Sequence, residues 1–236
     1  MPLPSHVLSS RAELEEASRR HATGVYYGEH RMLCRLLGEY LAFVDTRDFM
    51  LGPRLVLDGF WEAWVTLALA RYIQPGFHCV DVGANYGYYT LLMTAACGPE
   101  GRVVACEPNP LLAETYLPRN LALNGFYQGV EICPKVVGNV DDRTVDFVLH
   151  DGDFATSSLE RWAYAHRCGT VQAAATTLDR LCTDWPRLDL VKIDAEGAEA
   201  LVWEGMQKTL RRFPRAVVVL ELHLQRDPPQ TIGLLH

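Results

Sequence analysis

The chain has 236 residues, close to half of them hydrophobic, with a formal charge of −7. That is enough apolar material for one large α/β domain with a substantial core. Its 22 Lys and Arg are scattered rather than clustered, which disfavours a phosphate-backbone footprint and so a nucleic-acid partner. The seven cysteines form no CxxC pair and several lie inside apolar runs. They read as reduced core residues of a cytoplasmic protein. The opening MPLPSHVLSSRAELEE lacks a basic-then-apolar signal, and later runs such as TLLMTAAC stop short of membrane-spanning length, so no membrane anchor is expected.

Along the chain, Ser10 and Glu13 match a capping box that opens a polar helix. Met32, Leu33, Leu36, Leu37, Tyr40 and Leu41 recur at helical spacing and predict a second helix, with YLAFVD from Tyr40 as an alternative short strand. After Gly59, FWEAWVTLALARYI offers apolar positions at three- and four-residue intervals, and Pro75-Gly76 closes it. Residues 1–77 therefore read as an N-terminal helical extension with a lead-in helix. From residue 78 the rhythm changes to short apolar strands alternating with helical patterns: HCVDVGA, YYTLLMTAAC, RVVACEP, LLAETYLPRNLAL and VEICPKVV. This alternation predicts a parallel sheet with helices on both faces. TVDFVLH and TVQAAATTL form a β excursion around an irregular loop in which His150 and His166 are expected at the surface. LDLVKIDAEG, AEALVWEGMQKTLRRF and RAVVVLELH then resume the core as a strand, a helix and a fifth strand, in the order 3-2-1-4-5, so residues 78–236 form a second unit.

Within VDVGANYGYYT, Asp81 ends a buried strand, and Gly83 and Gly87 bracket a turn that carries Asn85 into a helix. Glycines there let backbone N–H groups approach a ligand. Glu107, at the tip of RVVACEPNP, is placed to accept hydrogen bonds from both hydroxyls of a ribose. The turn is not GxGxxG, which a dinucleotide's pyrophosphate would require. S-adenosylmethionine instead presents an α-amino group that an acid such as Asp81 can bind. Gly83, Asn85, Gly87, Glu107 and Asp194 complete the expected cofactor site.

VDVGANYGYYT, CEPNP, LDRL and VKIDAEGAEALVWEGM, flanked by DGFWE and VVLELH, resemble the signature segments of FkbM-type S-adenosylmethionine-dependent methyltransferases. The resemblance covers most of residues 58–223. It implies a Rossmann-like class I methyltransferase sheet and O-methylation of a hydroxyl on a sugar, glycoconjugate or polyketide-like product. A complete sheet of that type adds a helix and an antiparallel strand pair, whereas only thirteen residues, 224–236, follow His223. The sheet is thus expected to be short at its C-terminus: either the chain is truncated, or its sheet edge is covered by the N-terminal extension or a partner. A second copy of the chain is a candidate for that partner.

Strand side chains alternate faces, so Lys192 and Asp194 point the same way, with Asp194 at the carboxyl end where open parallel sheets bind ligands. Glu196 and Glu199 follow in the turn and the first helical turn, where Glu199 suits the helix dipole. Glu221 and His223 end the neighbouring strand. Asp194, Glu196 and His223 are the candidate catalytic residues, with His223 or an acid as the base. Asp194, Glu221 and His223 are alternatively candidate ligands of a divalent cation, magnesium or manganese. Trp61 and Glu62 are candidates to flank the acceptor. Two other readings stay open: a NAD-dependent oxidoreductase, and a truncated nucleoside-binding module without catalysis.

Overall fold

The computed structural model describes residues 2–150, 152 and 167–221. After a short helical turn, Ser5–Leu8, helix α1 (Arg11–His21) starts as its sequence predicts, with Ser10 Oγ accepting the Glu13 N–H at 3.2 Å.

The helix expected over residues 32–41 is not formed. Three antiparallel strands stand there instead, β1 (Gly24–Gly28), β2 (Arg31–Leu36) and β3 (Tyr40–Asp45). The reason lies in the connections. Glu29 and His30 have φ of 50° and 61°, and Leu37 and Gly38 have 51° and 72°. Two successive left-handed residues make the tight hairpin turn whose twist matches antiparallel strands, and a right-handed helix cannot pass through them. The Glu39 N–H to Leu36 C=O bond of 3.0 Å closes the second turn. The alternative strand beginning at Tyr40 is the reading the structure bears out.

Helices α2 (Leu51–Asp58) and α3 (Ala63–Tyr72) follow, then β4 (His78–Val82), α4 (Tyr88–Cys97) and β5 (Arg102–Cys106). A wide helical turn, Leu112–Tyr116, leads into α5 (Leu117–Leu123), followed by β6 (Val130–Cys133) and β7 (Val136–Val137). The β excursion is β8 (Thr144–His150) and β9 (Arg167–Thr176), which join β7 in a separate three-stranded sheet. Then come α6 (Leu178–Leu181), β10 (Leu190–Ile193), α7 (Glu199–Glu204), α8 (Gln207–Arg212) and β11 (Val217–Leu220). The central sheet has the order β6-β5-β4-β10-β11 with every pair parallel, which is the expected 3-2-1-4-5. The single helix expected after β10 is divided at Gly205, where a Cβ would lie 1.9 Å from the Gly138 carbonyl oxygen. Residues 222–236, with His223 and the expected short edge, lie outside the described residues, as does His166. His150, expected at the surface, is buried at the end of β8, where β9 pairs across it.

Alternation along the central strands sorts the core into two layers. Cys79, Val103, Ala105 and Leu190 face α3, α4 and α5; Val80, Val82, Val104, Cys106, Val191 and Ile193 face α6, α7 and α8. Six described cysteines are free and buried. Among the described residues no helix is long and apolar enough to cross a membrane.

Two asparagines on α5 dock the N-terminal sheet onto this core. Asn120 Oδ1 accepts the Phe43 N–H at 2.7 Å, and its Nδ2 donates to Phe43 O at 3.1 Å and Tyr86 O at 2.8 Å. One helical turn later, Asn124 Oδ1 accepts the Leu41 N–H at 2.9 Å and its Nδ2 donates to Leu41 O at 2.7 Å. The side-chain amides thus stand in for a strand along the outer edge of β3. Asn120→Ala leaves buried backbone groups unpaired, and should lower the unfolding free energy by about 2–4 kcal/mol in urea titrations. A loss below about 0.5 kcal/mol, the level of an ordinary surface change, would show that apolar contact alone docks the sheet.

Candidate active site

The sheet's connections reverse direction between β4 and β10, and a cleft opens at the carboxyl ends of the strands there, where open α/β sheets bind ligands. Of the residues singled out from sequence, Trp61, Gly83, Asn85, Glu107, Asp194, Glu196 and Glu221 line it. Lys192, placed on Asp194's face from sequence, lines it too, and Leu51, Tyr86, Tyr88, Tyr89, Lys135 and Phe147, which sequence reasoning did not assign, also contribute. Leu51 comes from the N-terminal part and Phe147 from the β excursion, so only tertiary folding brings them here.

The turn after β4 is shaped by close backbone approach. Gly83 has φ 80°, and a Cβ on it would lie 1.9 Å from the Asp194 carbonyl oxygen. Strands β4 and β10 therefore close on each other only because position 83 has no side chain. Asn85 is left-handed, with φ 52°, and its side chain accepts the Tyr86 N–H at 2.8 Å. Gly87, with φ 91°, meets the Leu117 side chain and does not line the cleft, so its role is to let α4 pack on α5.

Glu107, just beyond β5, is buried against this turn. Its Oε2 accepts the Asn85 N–H and its Oε1 the Asn109 N–H, each at 2.8 Å. Each oxygen keeps a lone pair for another donor. Burial pushes the carboxyl up to about 7, even though the two backbone donors favour its charged form.

At the other end of the cleft sits a buried ammonium. Lys192 and Asp81 are direct register partners across β10 and β4. Lys192 Nζ lies 3.6 Å from Asp81 Oδ1, 3.2 Å from Asp194 Oδ2 and 4.8 Å from the centre of the Tyr89 ring. Asp81 is fully enclosed, accepts the Thr90 hydroxyl at 2.7 Å, and does not line the cleft. Burial raises its pKa against the pull of Lys192. Burial opposes the Lys192 charge too, but Asp194, Asp81 and Glu221 hold it above the usual lysine range. Glu221 extends β11 beside Asp194, its N–H bonded to Ile193 O at 2.9 Å. Burial and the neighbouring Asp194 and Glu62 charges push it up to about 8. Glu62 completes the group by accepting the Tyr89 hydroxyl at 2.7 Å.

The remaining acids divide cleanly. Glu199 is buried and staples its own loop, accepting the Ala195 N–H at 2.8 Å and the Gly197 N–H at 2.9 Å, as its dipole-facing position foretold. Glu196 takes the left-handed φ of 52° and reaches the cleft wall. Of the candidate metal ligands Asp194, Glu221 and His223, the last lies outside the described residues. Among the described residues no group of three or more His, Cys, Asp or Glu side chains could hold a metal ion, and Lys192 already supplies the charge that compensates Asp194.

The sequence profile of the methyltransferase FkbM domain matches residues 81–234. The chain belongs to the FkbM methyltransferase family. It is also 48% identical over 44 residues to a protein-L-isoaspartate O-methyltransferase from Triticum aestivum, a match covering 19% of each chain. It is 33% identical over 81 residues to a ribosomal RNA large subunit methyltransferase E from Acinetobacter baylyi, covering 34% of this chain and 36% of that one. The chain thus spans about a fifth to about a third of the length of these curated relatives. A crystal structure of a methyltransferase FkbM from Methylobacillus flagellatus superposes with a TM-score of 0.43 at 15% identity, covering 67% of this chain and 41% of that one.

The residues of this FkbM-family cleft fit the family's cofactor, S-adenosylmethionine. Glu107 keeps a lone pair on each oxygen beyond its two backbone donors, and Asp194 reaches the cleft wall beside Lys192. Glu107 also makes stability depend on pH. Because its folded pKa is raised, its contribution is complete below the ordinary value of 4.5 and is lost as pH rises to about 7. Urea titrations across that window should show stability declining with pH, less steeply in Glu107→Gln. An identical slope in the variant would place the Glu107 carboxyl in water.

Proposed function

We propose that this protein is an S-adenosylmethionine-dependent O-methyltransferase acting on the hydroxyl of a sugar, glycoconjugate or polyketide-like product. The observation that carries the reading is the cleft's polarity: a buried two-oxygen acceptor, Glu107, at one end, and the Asp194 side chain, braced by Lys192 and neighboured by Glu221, at the other. Glu107 suits the two ribose hydroxyls, with Asn85 and the Gly83 turn beneath them. Asp194 and Glu221 suit the cationic and reacting end, since negative charge favours a sulfonium nearby.

When bound, the cofactor supplies an electrophilic methyl group on a positively charged sulfur. The chain's part is to hold an acceptor hydroxyl in line with that methyl, exclude water and receive the hydroxyl's proton. Asp194 orients the hydroxyl through Oδ1. Glu221, once ionised, takes the proton and becomes neutral, while Lys192 stays paired with Asp194 and Asp81. Asp81 thus acts through Lys192 and Thr90 rather than by direct contact. His223, two residues beyond Glu221, is the alternative base.

A nicotinamide-dependent oxidoreductase is disfavoured because the start of α4 presents Tyr88 and Tyr89 to the cleft where a pyrophosphate needs bare backbone. Calorimetry should show S-adenosylhomocysteine binding and NAD failing to bind. Glu107→Ala should weaken S-adenosylhomocysteine by about 1.5–3 kcal/mol, the scale of a hydrogen bond to a charged group. Unchanged affinity in that variant, or tighter binding of NAD, would overturn the assignment.

A further inference from the structure

A shallow groove adjoins the acceptor end of the cleft, and Trp61 belongs to the walls of both. Glu62 lies at the junction: it lines the groove, while its carboxylate accepts the hydroxyl of the cleft residue Tyr89 at 2.7 Å. It does so from a left-handed backbone with φ 35°, a conformation costly for a side-chain-bearing residue, and such strain concentrates at functional sites. The groove lies between α1 and the α2–α3 segment. Those elements precede residue 81 and so stand outside the stretch matched by the family profile.

Its chemistry is balanced and aromatic. Arg11, Arg19 and Arg54 face Glu15, Asp58 and Glu62, three cations against three acids. Arg19 pairs with Asp58 at 2.9 Å, and Arg11 pairs with Glu15. Such a surface offers no net charge to a phosphate chain or a polyamine. It does offer arginine forks and carboxylates to bind vicinal hydroxyls. Trp64 is 65% exposed, and the Arg11 guanidinium lies over one face of its ring, 5.2 Å from the centre, which leaves the opposite face for a ligand. A flat ring with hydrogen-bonding groups beside it matches a pyranose, which has an apolar face and a hydroxyl rim.

We infer that the groove is a distal acceptor subsite that binds an uncharged, polyhydroxylated chain, the part of a saccharide acceptor beyond the unit whose hydroxyl reaches Asp194 and Glu221. This rests on the methyltransferase reading for its direction into the cleft. Trp64 would stack on a sugar ring, Trp61 would mark the passage to the cleft, and α1 would set how long a chain is accepted.

The test uses the full chain with S-adenosylhomocysteine present. Tryptophan fluorescence and calorimetry follow titration with neutral tetrasaccharides of glucose, mannose and N-acetylglucosamine, and with a sulfated tetrasaccharide as the charged comparison. At least one neutral chain should bind and perturb tryptophan emission. Trp64→Ala and Arg11→Ala should weaken it about tenfold or more, the scale of losing an interface anchor, while S-adenosylhomocysteine affinity stays unchanged. Three results would overturn the subsite: S-adenosylhomocysteine binding without binding of any neutral tetrasaccharide, wild-type saccharide affinity in Trp64→Ala, or preference for the sulfated chain. Self-association that disappears in Trp64→Ala, without saccharide binding, would make the groove a subunit interface instead and also overturn it. Failure of S-adenosylhomocysteine itself to bind would count against the methyltransferase reading, whereas saccharide binding is read separately.

Discussion

The buried ammonium of Lys192 is the interaction around which the site is arranged. It sits among Asp81, Asp194 and Glu221, over the face of Tyr89, on two strands that meet in register. Removing one partner from a buried charge group leaves the others uncompensated, so these residues stand or fall together. One ammonium cannot neutralise Asp81, Asp194, Glu221 and Glu62 at once. Burial and the surrounding carboxylates push the Glu221 carboxyl up to about 8, and burial raises that of Asp81. A group poised between protonated and ionised near neutral pH is what proton removal from a hydroxyl requires.

Geometry supports the electrostatics. Gly83 lets the backbone of β4 pass against the Asp194 carbonyl, which brings the Asp81–Lys192 pair and the Asp194–Glu221 pair to one end of the cleft. Glu107 occupies the far end, held by backbone N–H groups from two loops. The N-terminal part, fastened by Asn120 and Asn124, adds Leu51 and Trp61 to the walls.

Much of this was legible in the sequence. Short apolar strands, helical patterns between them and acids at strand ends indicated the parallel order and placed Glu107, Asp194 and Glu221 at the carboxyl edge. The N-terminal hairpins were not legible, because Glu29, His30 and Leu37 adopt left-handed turns without the Asn-Gly or Asp-Gly signal that usually marks them. Asp81 was read as a ligand-contacting acid. Its strand register instead directs it into the core, onto Lys192 and Thr90. Tyr89 looks in sequence like one more apolar position of α4; only its partners Glu62 and Lys192 reveal a polar role. Lys135 reaches the cleft from the link between β6 and β7, and Phe147 from β8, which β9 holds by long-range pairing together with β7.

The central claim is that one cleft holds a nucleoside at Glu107 and performs its chemistry beside Asp194 and Glu221. A crystal structure with S-adenosylhomocysteine bound tests it most directly. The account requires both ribose hydroxyls on the Glu107 carboxylate and the sulfur turned toward Asp194 and Glu221, with the space beyond it opening past Trp61. Density that puts the ribose elsewhere, or turns the sulfur away from the Lys192 cluster, would contradict it.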